Sequence, residues 1–302
     1  MSMTALALAC IAGFSFAIIG VTYKYGDAVK IPPAQIIFFG ALTGMVVFAA
    51  VGWSSISVAP WYLPLGGFIA GISQYGAVKF CRTALRFGPL SPMWSALMLA
   101  FVPTIIYSSI ILGEPFSMWN AGALLAAILA VTAASLNVDG SAANGKREWK
   151  TTLLYGLILI TILACNAFNG CIMKHFGTLS SLDGKPLIER CGMYYVAMLY
   201  LGMALFIGLD LTVGKSWNFK PRRWPLLVLG CTYGTMVGMA LQTYLIRYPA
   251  AHTFTAVNSS SLLMTAVLSA ILFHEKRTLW WYVTIVATLC AIVFVNLESL
   301  FT

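Results

Sequence analysis

Residues 109–119, SIILGEPFSMW, end one apolar segment of the chain and begin the next, and residues 269–280, SAILFHEKRTLW, do the same near the C-terminus. Both stretches lead from an apolar run through a glutamate to a tryptophan. Upstream of them, ALRFGPLSPMWSA at 84–96 is echoed by YLIRYPAAHTFTA at 244–256. The matches occur in the same order and at a nearly constant offset, which indicates an internal repeat.

A third match, between GVTYKYG at 20–26 and CIMKHFG at 171–177, lies at the start of each half. Each half holds about five apolar runs, an odd number, so the second half must enter the membrane in the opposite direction. Inverted repeats around a site near the middle of the bilayer are a recurrent transporter architecture. We therefore predict one five-helix repeat at 1–140, a linker at 141–150 and a second repeat at 151–302.

The composition places these runs in a membrane. Of the 302 residues, 60% are hydrophobic and 9% are charged, whereas an ordinary soluble domain carries roughly 25% charged residues. A run of about 20 apolar residues crosses the hydrocarbon core as a helix. We predict an all-α polytopic membrane protein with ten transmembrane helices around a central cavity. The predicted spans are 3–23, 32–53, 61–83, 91–112, 117–137, 152–173, 188–210, 225–246, 251–273 and 279–298.

The net charge of +9 reflects topology rather than a nucleic-acid partner, because the basic residues lie between apolar runs. The even-numbered connections hold Lys174, Lys185, Arg190 and Arg247. Lysine and arginine are retained in cytoplasmic loops. The bias predicts cytoplasmic odd-numbered connections and two non-cytoplasmic termini, in the plasma (inner) membrane. The odd-numbered connections hold thirteen basic residues: Lys24, Lys30, Arg82, Arg86, Lys146, Arg147, Lys150, Lys215, Lys220, Arg222, Arg223, Lys276 and Arg277.

Cofactors are not expected. The seven cysteines lie mostly inside apolar runs and form no CxxC pair, which favours a packing role over metal or redox chemistry. His175 and His252 lie far apart in the sequence and make a poor metal site. The expected partners are a small-molecule substrate and the lipid bilayer, with the chain a monomer or a weak homodimer.

The duplicated motifs resemble those of the EamA-type branch of the drug/metabolite transporter superfamily. They comprise Ala-Leu-Arg-Phe at 84–87 and Leu-Gly-Glu-Pro at 112–115 in the first half. The second half keeps Ile-Arg-Tyr at 246–248 and Glu275, but has His274 in place of the glycine. The resemblance covers nearly the whole chain. It implies alternating access around a cavity lined by the first, third and fourth helices of each half, and it does not specify a substrate.

Lys79 is the sharpest candidate for substrate contact. It lies seven residues, about two helical turns, before Arg86, and an ionisable residue within a membrane helix is a functional candidate by default. There it would offer a positive charge to a carboxylate or phosphate. The alternative interpretation is that its four-carbon stem lets the ammonium group reach the interface.

Other candidates for substrate contact are polar or aromatic side chains within spans. Polar groups in lipid usually face the bundle, either as bonds between helices or as cavity lining. Asn166 and Asn169 are spaced i,i+3 and share a helix face, as do Asn258 and Ser261. The remaining candidates are Gln74, Tyr75, Trp94, Ser95, Met98, Phe16, Gln242 and Tyr244.

Acidic residues are confined to the predicted span ends, which argues against an antiporter that shares one buried carboxylate between protons and cations. Glu114 and Glu275 occupy equivalent repeat positions, and we expect each to cap a helix end or to add charge at a helix N-terminus. The favoured function is a secondary carrier for a small polar or zwitterionic metabolite with an anionic group, such as an amino acid or organic acid. The alternative is a membrane-embedded enzyme or lipid-handling protein, which would need clustered catalytic groups.

Overall fold

The computed structural model describes residues 3–87, 90–136, 149–179, 186–219, 223–273 and 278–301. A short 3-10 turn lies at Trp53–Ser55. The remaining regular structure in these ranges is helical and comprises α1 (Met3–Ala28), α2 (Pro33–Val51), α3 (Tyr62–Phe87), α4 (Leu90–Leu99), α5 (Phe101–Ile110), α6 (Met118–Leu136), α7 (Trp149–Thr178), α8 (Leu187–Val213), α9 (Trp224–Leu245), α10 (Ala250–Leu272) and α11 (Leu279–Phe301).

These helices confirm the predicted all-α polytopic membrane fold. Six of them, α1, α2, α7, α8, α9 and α10, are long and apolar enough to cross a bilayer. Three shorter apolar segments lie at Ala96–Ile110, Met118–Ala134 and Leu279–Val295. The 26-residue α3 is long enough to span, although its second half carries basic residues. With α4 and α5 taken together as the fourth span, the helices correspond one to one with the ten predicted spans.

The first and seventh connections lie together at one end of the helices, called here the odd face. The connection between α8 and α9 packs against the start of α2, where the Asn218 N–H donates to the side chain of Gln35 at 2.8 Å. Asn218 also donates through Nδ2 to the Lys30 carbonyl at 3.0 Å. Arg223 donates to the Tyr25 hydroxyl at the end of α1. These contacts join the first and the seventh connections.

The second, fourth and eighth connections lie at the other end, called here the even face. Ser55, between α2 and α3, donates to the carbonyl of Arg190 near the start of α8 at 2.9 Å. Arg247, between α9 and α10, lies 3.8 Å from the carboxylate of Glu189. The described connections therefore fall into two groups at opposite ends of the helices, as successive membrane crossings require.

The helices pack in pairs that match across the two halves. Helix α1 packs on α9 and α10, while its counterpart α7 packs on α3 and on the two parts of the fourth span. Helix α2 packs on its own counterpart α8, and α6 packs on α11. These contacts between helices of one half and the other are the same when each helix is replaced by the helix at the equivalent place in the other repeat. The arrangement has the symmetry that two five-helix repeats require, while the repeat and linker boundaries stay a prediction.

Glycines allow α9 to approach α1 closely. Gly230, Gly234 and Gly238 lie one helical turn apart, and a Cβ atom on any of them would meet atoms of α1. At Gly234 the nearest atom would be the backbone carbonyl oxygen of Ser15, at 2.5 Å. Small residues of this kind permit close packing between membrane helices.

The fourth span is broken at Ala100, between α4 and α5. Pro103 explains the position, because proline has no N–H for the carbonyl four residues earlier and its ring clashes there. The carbonyl of Leu97 accepts a 2.9 Å hydrogen bond from Nδ2 of Asn166 on α7, and the Ala100 carbonyl accepts one from the Thr104 hydroxyl at 3.2 Å. Irregular backbone at membrane depth is tolerated where its polar groups find such partners or line a cavity.

Candidate functional site: the central cavity

A cavity of about 1070 Å³ lies between the helices and extends to the odd face. Lys30 and Arg82, both exposed at that face, line its mouth. Its deeper wall includes Thr104, Gly170 and Phe254, which lie in the even-face halves of the fourth span, α7 and α10. Within the described part of the chain, no residue of an even-numbered connection lines the cavity. The cavity is therefore open on one face and closed on the other.

The mouth of the cavity is cationic. Lys24, Lys30 and Arg82 contribute to its lining, and none of the lining residues in the described ranges is an aspartate or glutamate. The Lys24 ammonium lies 4.5 Å from the centre of the Phe273 ring, at a distance typical of a cation–π contact. An anionic group entering from the odd face would meet favourable charge.

Amide side chains form one wall of the cavity. Gln74 donates through Nε2 to Oδ1 of Asn166 at 2.8 Å, and Asn166 in turn bonds the Leu97 carbonyl at the break in the fourth span. One turn farther along α7, Asn169 accepts a 3.4 Å hydrogen bond from the Tyr195 hydroxyl. The amides are thus held in place by bonds between helices while they line the cavity.

Eight of the thirteen predicted site residues line this cavity. Their part in substrate binding stays a prediction. They are Phe16, Gln74, Met98, Asn166, Asn169, Gln242, Asn258 and Ser261.

Four of the remaining candidates are not placed in the cavity wall by the described contacts. Tyr75 and Tyr244 are not part of its lining, and Tyr244 is exposed and stacks on the Arg247 guanidinium at 3.7 Å. The side chains of Trp94 and Ser95 lie outside what the structure describes. Glu275, the repeat counterpart of Glu114, also lies outside the described residues.

Lys79 lies in a separate, smaller pocket at the odd face rather than in the central cavity. Its ammonium is 3.3 Å from the Asp210 carboxylate and donates to the Tyr75 hydroxyl at 3.0 Å. The side chain is 52% exposed. This placement corrects the prediction that Lys79 is deep, and it matches the alternative in which the stem carries the charge to the interface. The sequence places Lys79 about two turns before Arg86, but it does not reveal that the side chain reaches Asp210 on α8.

Several lining residues were not among the candidates. Lys24 and Arg82 were treated as loop charges, although α1 and α3 extend past them. The resemblance implied a lining from the first, third and fourth helices of each half, but α2 and α8 also contribute, through residues such as Ile37 and Tyr200. Lys24 belongs to a helix rather than to the first connection, since α1 continues to Ala28.

A buried ion pair closes the even face. The Lys174 ammonium lies 2.5 Å from Oε1 of Glu114 and donates to the carbonyls of Ile246 at 2.8 Å and Tyr248 at 2.6 Å. Its side chain is 2% exposed. The assignment of Lys174 to an even-numbered connection is wrong, because α7 continues to Thr178 and Lys174 is buried within it. Its three ammonium protons face three acceptors, as burial of a charge requires.

Glu114 also caps a helix. Its Oε2 accepts the N–H of Ala250, the first residue of α10, at 2.7 Å, and the hydroxyl of Ser108 at 2.5 Å. A carboxylate at a helix N-terminus is stabilised by the unpaired N–H groups there. The expected capping role is therefore present, on α10 rather than on α6, the next helix in the sequence. Glu114 and Lys174 together tie the connection between α5 and α6 to α7 and to the start of α10.

The family model of the EamA-like transporter family matches residues 153–297. The match spans most of the second half of the chain and indicates a membrane transporter of the drug/metabolite transporter superfamily. A crystal structure of another protein shares its fold, with a TM-score of 0.77 over 99% of this chain and 98% of the other, at 13% sequence identity. A search of the curated proteins finds no matching sequence.

Proposed function

We propose that this EamA-type chain is a secondary carrier for a small polar or zwitterionic metabolite that bears an anionic group, such as an amino acid or organic acid. The central cavity carries the proposal. It is open at one face, closed at the other, and reaches the middle of the helices. Access from one side at a time is what a carrier with alternating access requires.

The preference for an anionic group follows from the charges of the cavity. Lys24, Lys30 and Arg82 lie at its mouth, and its described lining holds no acidic side chain. A cleft lined by one sign of charge raises the local concentration of ligands of the opposite sign. A hydrophobic cation would meet repulsion at this mouth and find no carboxylate in the described wall to replace its solvation.

The preference for a small polar molecule follows from the wall and the volume. Gln74, Asn166 and Asn169 offer amide donors and acceptors on one side, while Asn258 and Ser261 lie on α10. Ligand sites of about 300–1,000 Å³ enclose molecules up to drug size, so the cavity has room for a metabolite and its remaining water. Fixed amides recognise an amino or hydroxyl group better than an alkyl chain.

The proposed location is the plasma (inner) membrane, with the odd face in the cytoplasm. The basic residues near the odd-numbered connections support this orientation, with thirteen against four near the even-numbered ones. In this orientation the cavity opens to the cytoplasm.

A stability screen tests the proposed substrate class. Purified protein is heated with sets of amino acids, organic acids, organic cations and sugars at equal concentration. A ligand at about one hundred times its Kd stabilises the folded state by roughly 2.7 kcal/mol. We expect stabilisation from compounds with a carboxylate or phosphate group. Stabilisation by the organic cations alone would contradict the proposal.

Two lysine variants then locate the charge that binds. Lys24→Met removes a cation of the cavity, whereas Lys79→Met removes one that pairs with Asp210 outside it. Loss of a hydrogen bond to a charged group costs about 1.5–3 kcal/mol, so Lys24→Met is expected to weaken binding of the stabilising anion roughly tenfold to a hundredfold. Lys79→Met is the matched control and leaves affinity unchanged. A larger loss of anion affinity in Lys79→Met than in Lys24→Met would place the anion site at Lys79 instead.

A further inference from the structure

The even face is held closed by charges rather than by apolar packing alone. Glu114 lies on the connection between α5 and α6, in the first half of the chain, and Lys174 lies on α7, in the second half. Both groups also bind the connection between α9 and α10, through Ala250, Ile246 and Tyr248. One carboxylate and one ammonium therefore join three separate segments.

The cluster of Glu114, Lys174 and the start of α10 lies between the deep end of the cavity and the even face. Gly170 and Phe254 line the deep end of the cavity, and each lies four residues, about 6 Å of helix, from Lys174 and Ala250 respectively. No even-numbered connection lines the cavity within the described ranges. A path from the cavity to the even face must therefore separate α7, α10 and the connection before α6 near this cluster.

We infer that the Glu114–Lys174 pair, together with the N-terminus of α10, is the gate that holds the even face closed and must break when that face opens. The inference rests on the proposed function, since a carrier with alternating access has to open this face. In the closed state the Lys174 ammonium is buried and the Glu114 carboxylate is 15% exposed, and separating them is unfavourable until water reaches each one. Opening is thereby coupled to hydration of the gate, which keeps the even face from opening partially.

Spin-label distances across the even face test the gate without any substrate. Nitroxide labels are attached to cysteines at Phe116 and Tyr244, in full-length protein whose native cysteines are replaced. Both positions are exposed, and they lie two residues from Glu114 and from Ile246 respectively, on two of the segments that the cluster joins. The labelled protein is measured in lipid nanodiscs. The gate predicts one short-distance population in the parent protein and an added longer-distance population in Glu114→Gln.

The size of the effect follows from the interaction removed. Glu114→Gln keeps an acceptor for Lys174 but deletes the charge, and loss of one charge-assisted bond is expected to raise the ratio of open to closed molecules roughly tenfold to a hundredfold. The matched control is Glu189→Gln, because Glu189 also forms an even-face ion pair, with Arg247, yet its side chain is 49% exposed. That substitution should leave the distance distribution unchanged.

A milder variant covers the case in which Glu114→Gln does not fold. Ser108→Ala removes one hydrogen bond from the Glu114 carboxylate and keeps both charges, so it should shift the distances in the same direction by a smaller amount. Distances that stay short in every folded variant would overturn the gate, even if transport is demonstrated. Conversely, if the distance distribution shifts in Glu114→Gln but the protein transports no metabolite, the gate proposal stands and the carrier proposal is refuted.

Discussion

The two lysine–carboxylate pairs of the described chain should differ sharply in their contribution to stability. Lys174 is 2% exposed and binds Glu114 and two backbone carbonyls. Lys79 is 52% exposed and binds Asp210 and a tyrosine hydroxyl. Replacing each lysine by methionine keeps a side chain of similar length and removes the charge. The two substitutions therefore compare a buried pair with an exposed one in the same protein.

The expected magnitudes follow from burial. Lys174→Met leaves a buried carboxylate without its counter-ion and two carbonyls without their donor, and breaking a buried pair in this way typically costs about 3–5 kcal/mol. Glu114 keeps the Ser108 hydroxyl and the Ala250 N–H, which places the expected loss toward the lower end of this range. Lys79→Met removes an exposed pair, for which about 0.2–1 kcal/mol is typical.

Reversible unfolding in mixed detergent micelles measures these differences as free energies of unfolding. The double variant Glu114→Gln with Lys174→Met is included, since it leaves no unpaired buried charge and should recover part of the loss seen in Lys174→Met. If Lys174→Met and Lys79→Met cost the same, or if the double variant is as unstable as the sum of the two single ones, the reasoning about the buried pair is wrong.

Two further predictions concern packing and topology. Gly71→Ala should destabilise the protein by about 1–3 kcal/mol through overpacking, because its Cβ would meet the carbonyl oxygen of Leu199 on α8. The control Gly156→Ala, whose Cβ meets nothing within 4 Å, should be neutral or slightly stabilising. Equal effects of the two substitutions in an unfolding assay would refute the close approach of α3 to α8. A cysteine introduced at Asn144 should be protected from a membrane-impermeant thiol reagent in intact cells and one at Gly184 should be labelled, and the reverse pattern would invert the orientation.

Much of the fold could be predicted from the sequence, because long apolar runs and their order can be recognised without knowing how the helices pack. The break in the fourth span could have been placed as well, since Pro103 removes a helical N–H. The ends of helices were harder to predict. A lysine near a span end is equally compatible with a loop, an interface or a buried pair, and only the position of its partner distinguishes them.

Lys174 and Lys79 illustrate this difficulty. Lys174 lies four residues before the end of α7, where its three acceptors come from two segments distant in sequence. Lys79 lies well within α3, yet its stem reaches an exposed carboxylate on α8. The candidate site was predicted better where the residues were uncharged, because amides such as Asn166 and Gln242 face the bundle wherever they lie along a span.

Counterflow in proteoliposomes tests the carrier proposal most directly. Vesicles containing the purified protein are loaded with an excess of an unlabelled carboxylate metabolite that stabilises the protein, and a trace of the labelled compound is added outside. A carrier predicts transient accumulation of label above its equilibrium level, saturation with concentration, and loss of both in protein-free vesicles. Uptake that rises linearly with concentration and never exceeds equilibrium would contradict the account, as would chemical conversion of the labelled compound.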